Sequence, residues 1–486
     1  MSSGEPSQST ADVRRSNSPT VMVKTSDVCR AEKEYLLTWI FEEVFGVSLK
    51  IQWIQNRDTS TELSLIGESG FVSFQESFFP VADQHWLQPG TVPDLLDANG
   101  DFDPIGGDDH PPVFGSQSAE TFQQVDSGWV EHNEDHLHLK ADLFGPLFVI
   151  LSRYDEACLD SFDPHGRIRS SDTFLGRHGL IDRAIGNEYL ELIWSAIEFV
   201  WPNLPRKKRT YRIIPSHDID FPSMFATLGW AQSFKRLAKR VIRERSFAAT
   251  VDMIRCPLHQ LIGNYSSDPF NQIDWLINQS ERHGLCSTFF YIPEPTHDFD
   301  PNIQLTHPAV IDQWKQIADR GHELGMHPGY ETFQSPDRMQ TGIKNIRDQM
   351  TALNIEQDQL GSRQHFLRWR TPRTAQLLDS IGMDYDSSLG FAERVGFRCG
   401  VCYEFPMFDV EHRQALRLRQ RPLLAMDASV IEASYMNLGL TDDGFNAFAA
   451  IASECRKYDG DFTLLWHNTK LQTSRQRDFY VSLLSL

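Results

Sequence analysis

Tyr211-Arg212-Ile213-Ile214-Pro215-Ser216-His217-Asp218-Ile219-Asp220-Phe221 runs from an apolar segment straight into a histidine and two acids. Read as a buried strand, it alternates its side chains, so Asp218 and Asp220 share one face and His217 and Ile219 the other. Two carboxylates on one side of a strand end repel each other unless a positive charge sits between them or one keeps a proton. A divalent metal ion beside a general base satisfies that condition. So does a plain strand end, with Asp218 capping the next turn and Asp220 in water. Histidines further along the chain favour the metal.

Downstream of this stretch, apolar runs alternate with helical periods. Strands are predicted at 286–292, 323–327, 363–369 and 462–466, and helices at 308–320, 337–353 and 371–381. A β-α-β-α rhythm implies parallel strands, whose functional residues collect at their C-terminal ends. His217, Asp218, Asp220, His327 and His467 all fall at such ends.

Upstream, a helix predicted over 187–201 is stopped by Trp201-Pro202-Asn203-Leu204-Pro205, and the basic connector Arg206-Lys207-Lys208-Arg209 follows. The expected organisation is a disordered, Ser- and Thr-rich N-terminus (1–25), a smaller accessory α/β domain (26–205) and a larger domain (206–486). Residues 89–112, rich in Gly, Pro and Asp, read as a surface loop. Asp108-Asp109-His110 within it reads as solvated. A helix over 225–245 carries Leu228, Leu237 and Val241 on one face and Lys235, Arg236, Lys239, Arg240, Arg243 and Arg245 on the other. That basic face is either solvated or a contact for an anionic surface, whether lipid or an acidic or phosphate-bearing saccharide.

The chain's 486 residues suit two large domains or about three ordinary ones. A formal net charge of −20 argues against nucleic acid as a partner. With no apolar run long enough to span a bilayer, hence no transmembrane segment, and no signal-peptide pattern, the expected location is cytoplasmic. Seven scattered cysteines do not form a disulfide framework, and Cys399-Gly-Val-Cys402, without a second pair, reads as two ordinary thiols.

From about residue 208 onward the chain resembles the polysaccharide deacetylase (NodB-homology) superfamily. Four stretches carry the resemblance: Ser216-His217-Asp218-Ile219-Asp220, Gly321-His322-Glu323-Leu324-Gly325-Met326-His327-Pro328-Gly329-Tyr330-Glu331, Arg363 with Arg370-Thr371-Pro372, and Leu464-Leu465-Trp466-His467-Asn468. A bacterial subgroup with His-Asp-aliphatic-Asp and a preceding uncharacterised α/β domain is closer still. It shares Arg363-Gln364-His365, and its preceding domain is matched by Asp163-Pro164-His165-Gly166-Arg167. The resemblance implies a distorted (β/α) barrel and a metal-dependent hydrolase, with zinc (Zn2+) as the usual divalent ion. Its substrate would be an N-acetylated saccharide that loses its acetyl group. It further implies Asp218 as general base with Asp220 as ligand (or the reverse), His327 as a second ligand, His467 as general acid and Arg363 holding the catalytic acid. Glu331 stands where the family has a further histidine ligand, so the third ligand is Glu331 or His365. Two other readings stay open: hydrolysis of another C–N bond, and a carbohydrate-binding protein on this fold without turnover.

Overall fold

The computed structural model describes residues 19–55, 60–92, 130–133, 135–244 and 247–486. The chain divides into two compact units, the first comprising Met1–Tyr154, Gly186–Arg209 and His412–Ala415, the second Asp155–Ile185, Thr210–Glu411 and Leu416–Leu486. Asp155–Ile185, which a boundary near residue 205 would assign to the accessory domain, therefore clusters with the second unit. No disulfide joins any of the seven cysteines, all of which are among the described residues.

The first unit is a six-stranded mixed sheet. Its strands are β1 (Thr20–Ser26), β2 (Ser48–Ile54), β3 (Ser60–Leu65), β4 (Phe71–Gln75), β5 (Val130–Asn133) and β6 (His136–Leu139), ordered β2-β1-β3-β4-β6-β5. The expected disorder of residues 1–25 is wrong for Thr20 onward. β1 lies inside the sheet, parallel to β2 and antiparallel to β3, because Val21 and Val23 alternate into the core. Val21, Met22 and Val23 among Thr, Lys and Ser leave too short a pattern to outweigh the polar composition. Residues 1–18 and 93–129, the latter containing Asp108, Asp109 and His110, lie outside the described residues.

In the second unit nine strands form one sheet: β7 (Arg212–Ile219), β8 (Thr288–Tyr291), β9 (Glu323–Met326), β10 (Gly361–Ser362), β11 (Tyr385–Asp386), β12 (Phe405–Asp409), β13 (Gln414–Gln420), β14 (Ala425–Met426) and β15 (Asp461–Leu465). The order is β12-β13-β11-β10-β9-β8-β7-β15-β14. Pairings from β11 through β7 to β14 are parallel, so their C-terminal ends share one edge. Among the described residues no pairing joins β12 to β14, so of the expected distorted (β/α) barrel the parallel α/β sheet is seen and closure is not. The predicted strand at 363–369 is also absent. After the two residues of β10 the chain turns through His365–Leu367, with Phe366 (φ 60°) and Leu367 (φ 55°) in the left-handed region.

Two glycines let the central strands approach aromatic rings. A Cβ on Gly325 would lie 2.3 Å from the Phe290 ring, and one on Gly361 would lie 2.1 Å from the Tyr385 ring. Gly361→Ala should therefore cost roughly 1–3 kcal/mol through overpacking. A lowered midpoint in urea unfolding is the expected result. An unchanged midpoint would show that the Tyr385 ring yields freely.

Candidate metal centre

Asp218, buried, is the penultimate residue of β7, and Asp220 lies just beyond the strand. His217 turns to the opposite face, its ring between Phe289 and Tyr480 and its Nδ1–H on the Trp466 carbonyl at 3.0 Å. Burial lowers its pKa to about 3, against the pull of that hydrogen bond, so it is a neutral core residue.

Three imidazoles meet Asp220. His327, directly after β9, holds Nε2 3.3 Å from Asp220 Oδ1 and 3.7 Å from Asp218 Oδ2. His365, after β10, holds Nε2 3.8 Å from Asp220 Oδ1. His467, after β15, holds Nε2 3.8 Å from Asp220 Oδ2. Each ring's other nitrogen is tied back to an acceptor: His327 Nδ1 to the Arg363 carbonyl, His365 Nδ1 to Asp300 Oδ1 at 2.6 Å, and His467 Nδ1 to Asp427 Oδ1 at 2.6 Å. Carbonyls and carboxylates only accept, so Nδ1 carries the hydrogen in all three rings. Every Nε2 therefore faces the carboxylates, with either a lone pair or a second proton to offer.

Asp300 does more than orient one ring. Its carboxylate also accepts from Thr296 N at 2.7 Å and from Tyr330 N at 3.0 Å, tying two loops to His365. Burial opposes its ionisation, but His365 and the Thr296 donors outweigh burial and bring its pKa down to about 2. Asp427, at the end of β14, likewise accepts from the His467 amide at 2.8 Å. Burial works against a charge on His467 too. The Asp427 carboxylate prevails, with help from Asp220 and Asp218, and raises that imidazole to about 10. His327 is shifted upward despite burial by Asp218 and Asp220, and Asp220 lies well below the usual carboxylate range because the imidazoles overcome its burial.

These residues fit a divalent cation. One ligand atom each from Asp220, His327 and His365 lie within 4.8 Å of one another. Asp218 Oδ1 and Asp220 Oδ1 are buried with no hydrogen-bond donor; Asp220 Oδ1 faces the His327 and His365 rings, while Asp218 Oδ1 faces Arg363. Two imidazoles and a carboxylate are a donor set that suits zinc, and an outer acceptor on each ring is the usual support for metal-bound histidine. Glu331 is not brought here. It pairs with Arg368 Nη1 at 3.1 Å, and Arg368 is itself stacked on the Tyr330 and Phe333 rings.

Arg363 is buried, with Nη1 3.7 Å from Asp218 Oδ1 and Nη2 donating to Ser216 Oγ and Ser387 Oγ, both at 3.0 Å. Its guanidinium lies 4.9 Å over the Phe290 ring. The cluster opens into a cavity of about 260 Å³, walled by Phe366, Leu367, Met426, Tyr435, Lys470 and Arg167. Arg167 belongs to Asp155–Ile185; Asp163 Oδ2 accepts from its Nε at 2.7 Å, and its Nη2 lies 3.3 Å from the Tyr435 hydroxyl. Asp300, Asp427 and Arg167 were missed from the sequence. Asp300 lies in a loop without periodicity, and Asp427 follows a strand of two residues. Arg167 stands upstream of the expected boundary, although Asp163-Pro164-His165-Gly166-Arg167 was a visible signal.

Behind the cluster Asp386 is fully buried. It accepts from Ser362 Oγ at 2.8 Å and Ser388 N at 2.6 Å, and Ser388 Oγ in turn receives the Gln364 amide at 2.8 Å. Burial raises its pKa to about 6 although the serine donors and Arg363 oppose the shift. The folded chain thus holds a proton that the unfolded chain releases above about pH 4. Stability from this group is fully present below about pH 4 and is lost as pH rises through about 6. Asp386→Asn is neutral throughout. Relative to that variant, the wild type should lose about 3 kcal/mol between pH 4 and pH 7 in urea unfolding. Parallel stability curves for the two proteins would contradict this.

A family of unknown function, DUF7033, matches residues 21–202, less than half of the chain. No curated protein matches. Among solved structures, a Mycobacterium smegmatis protein assigned as a polysaccharide deacetylase is similar at 16% identity and a TM-score of 0.37, over 57% of this chain and 84% of that one. A mutant CE4 family pseudoenzyme with restored enzymatic activity is similar at 8% identity and a TM-score of 0.27, over 57% of this chain and 62% of that one.

Proposed function

We propose that this chain is a metal-dependent hydrolase that removes the acetyl group from an N-acetylated saccharide. One observation carries the reading: Asp218 and Asp220, at one strand end, face three imidazoles whose outer nitrogens are all occupied by acceptors. Asp220, His327 and His365 would hold the ion. When bound, a divalent cation lowers the pKa of water and polarises a carbonyl.

The remaining work falls to the side chains. Asp218, with one oxygen free of donors, accepts the proton of the attacking water, and the Arg363 guanidinium, 3.7 Å away, holds it in place. His467, protonated at Nε2 and braced by Asp427, donates to the departing amine nitrogen. A sugar ring suits the aromatic wall, where Phe299, half exposed, stacks on Phe366 with centroids 5.2 Å apart and planes at 26°.

Metal analysis of the purified protein, with acetate release from N-acetylated oligosaccharides, tests this reading. One equivalent of zinc and acetate release are expected. A protein that takes up metal but releases no acetate would favour a carbohydrate-binding role instead. Two variants separate the rival ligands: His365→Ala should lose the metal, whereas Glu331→Ala should keep it. The opposite pattern would return Glu331 to the site. Asp218→Asn should retain metal while kcat falls by about 10²–10⁴, the usual contribution of a general base. Full activity in that variant would remove Asp218 from its role.

A further inference from the structure

Between Asp220 and the helix Ile273–Arg282 the chain inserts two helices, Met224–Glu244 and Phe247–Leu261. They leave the sheet at the strand end that carries Asp218 and Asp220. Their inner sides already have a core: Met224, Phe225, Leu237 and Cys256 pack with Phe270. Arg240 pairs with Asp252 at 3.2 Å and links the two helices.

A second apolar face remains outside that core. Of the eleven large apolar side chains exposed among the described residues, eight belong to this insertion. Val251, Ile254, Leu258 and Leu261 follow one another at steps of three and four, which sets them in one stripe along the second helix. Ile254 is 63% exposed, Leu261 71% and the adjoining Ile262 77%. On the first helix Lys235, Lys239 and Ile242 recur at the same spacing, and all three are exposed. Monomeric chains rarely present so many large apolar groups together without something to cover them.

The charge on the first helix indicates what covers the pair. The chain carries a formal net charge of −20, yet Lys235, Arg236 and Lys239 stand exposed in the insertion. A two-fold contact with a second copy through this patch would bring these cations against themselves. An anionic bilayer offers negative headgroups to the lysines and an acyl layer to the leucines and isoleucines. No helix among the described residues is long and apolar enough to cross a membrane, and the second helix, of 15 residues, suits a position in the plane of the interface. We infer that this helical pair is a docking surface for a bilayer containing anionic phospholipid.

Co-sedimentation of the full chain with vesicles tests the inference. The protein should sediment with equimolar phosphatidylcholine–phosphatidylglycerol vesicles and remain in solution with phosphatidylcholine alone. Lys235→Gln and Lys239→Gln should each weaken binding about fivefold. Leu258→Ser combined with Leu261→Ser should abolish it while the circular dichroism spectrum of the folded chain is kept. Failure to bind the anionic vesicles, or equal binding to both kinds, would overturn the inference. So would a dimer in analytical ultracentrifugation that the paired serine variant dissolves and vesicles do not compete for.

Discussion

Asp220 sits 3.3–3.8 Å from three imidazole nitrogens, and charge balance there governs the site. The carboxylates favour protons on His327 and His467 and shift both imidazoles upward. A divalent ion can take the place of such a proton, since metal binding to histidine and carboxylate displaces protons. The residues behind the rings serve this arrangement. Asp300, Asp427 and the Arg363 carbonyl each fix one Nδ1, so every ring is turned before any ion arrives. Pre-oriented ligands need no ordering when they bind, which favours affinity.

The backbone delivers these groups by parallel pairing. β7, β9, β10, β14 and β15 end on one edge, and each contributes a residue at or just past its last position. β9 and β10 tolerate aromatic neighbours only because Gly325 and Gly361 lack side chains. Beyond β10 the left-handed Phe366 and Leu367 turn the chain sharply after His365, a backbone cost of the kind that gathers at functional sites.

Much of this was legible in the sequence because period-two and period-3.6 patterns are strong in buried parallel strands and amphipathic helices. The alternation put His217 on the face opposite Asp218 and Asp220, yet His217 was still counted with the functional strand ends, because a strand end alone does not show which face is core. β10 and β14, two residues each, carry no periodicity, so the residues they position were harder to find. His365 was visible only as a rival to Glu331, because spacing within one motif says nothing about a ring arriving from the next strand. β1 was masked by its Ser, Thr and Lys content, since two valines make a short pattern. Arg167 was separated from the cavity by a boundary drawn at the most basic stretch, whereas Asp155–Ile185 already belongs to the second unit and the chain returns to the first over Gly186–Arg209.

Diffraction from crystals soaked in zinc, recorded on both sides of the zinc absorption edge, tests the central claim most directly. The account predicts an anomalous peak within bonding distance of the Asp220 carboxylate and the Nε2 atoms of His327 and His365, with Glu331 still on Arg368. A peak bound elsewhere in the second unit, with these three side chains unliganded at saturating zinc, would contradict it.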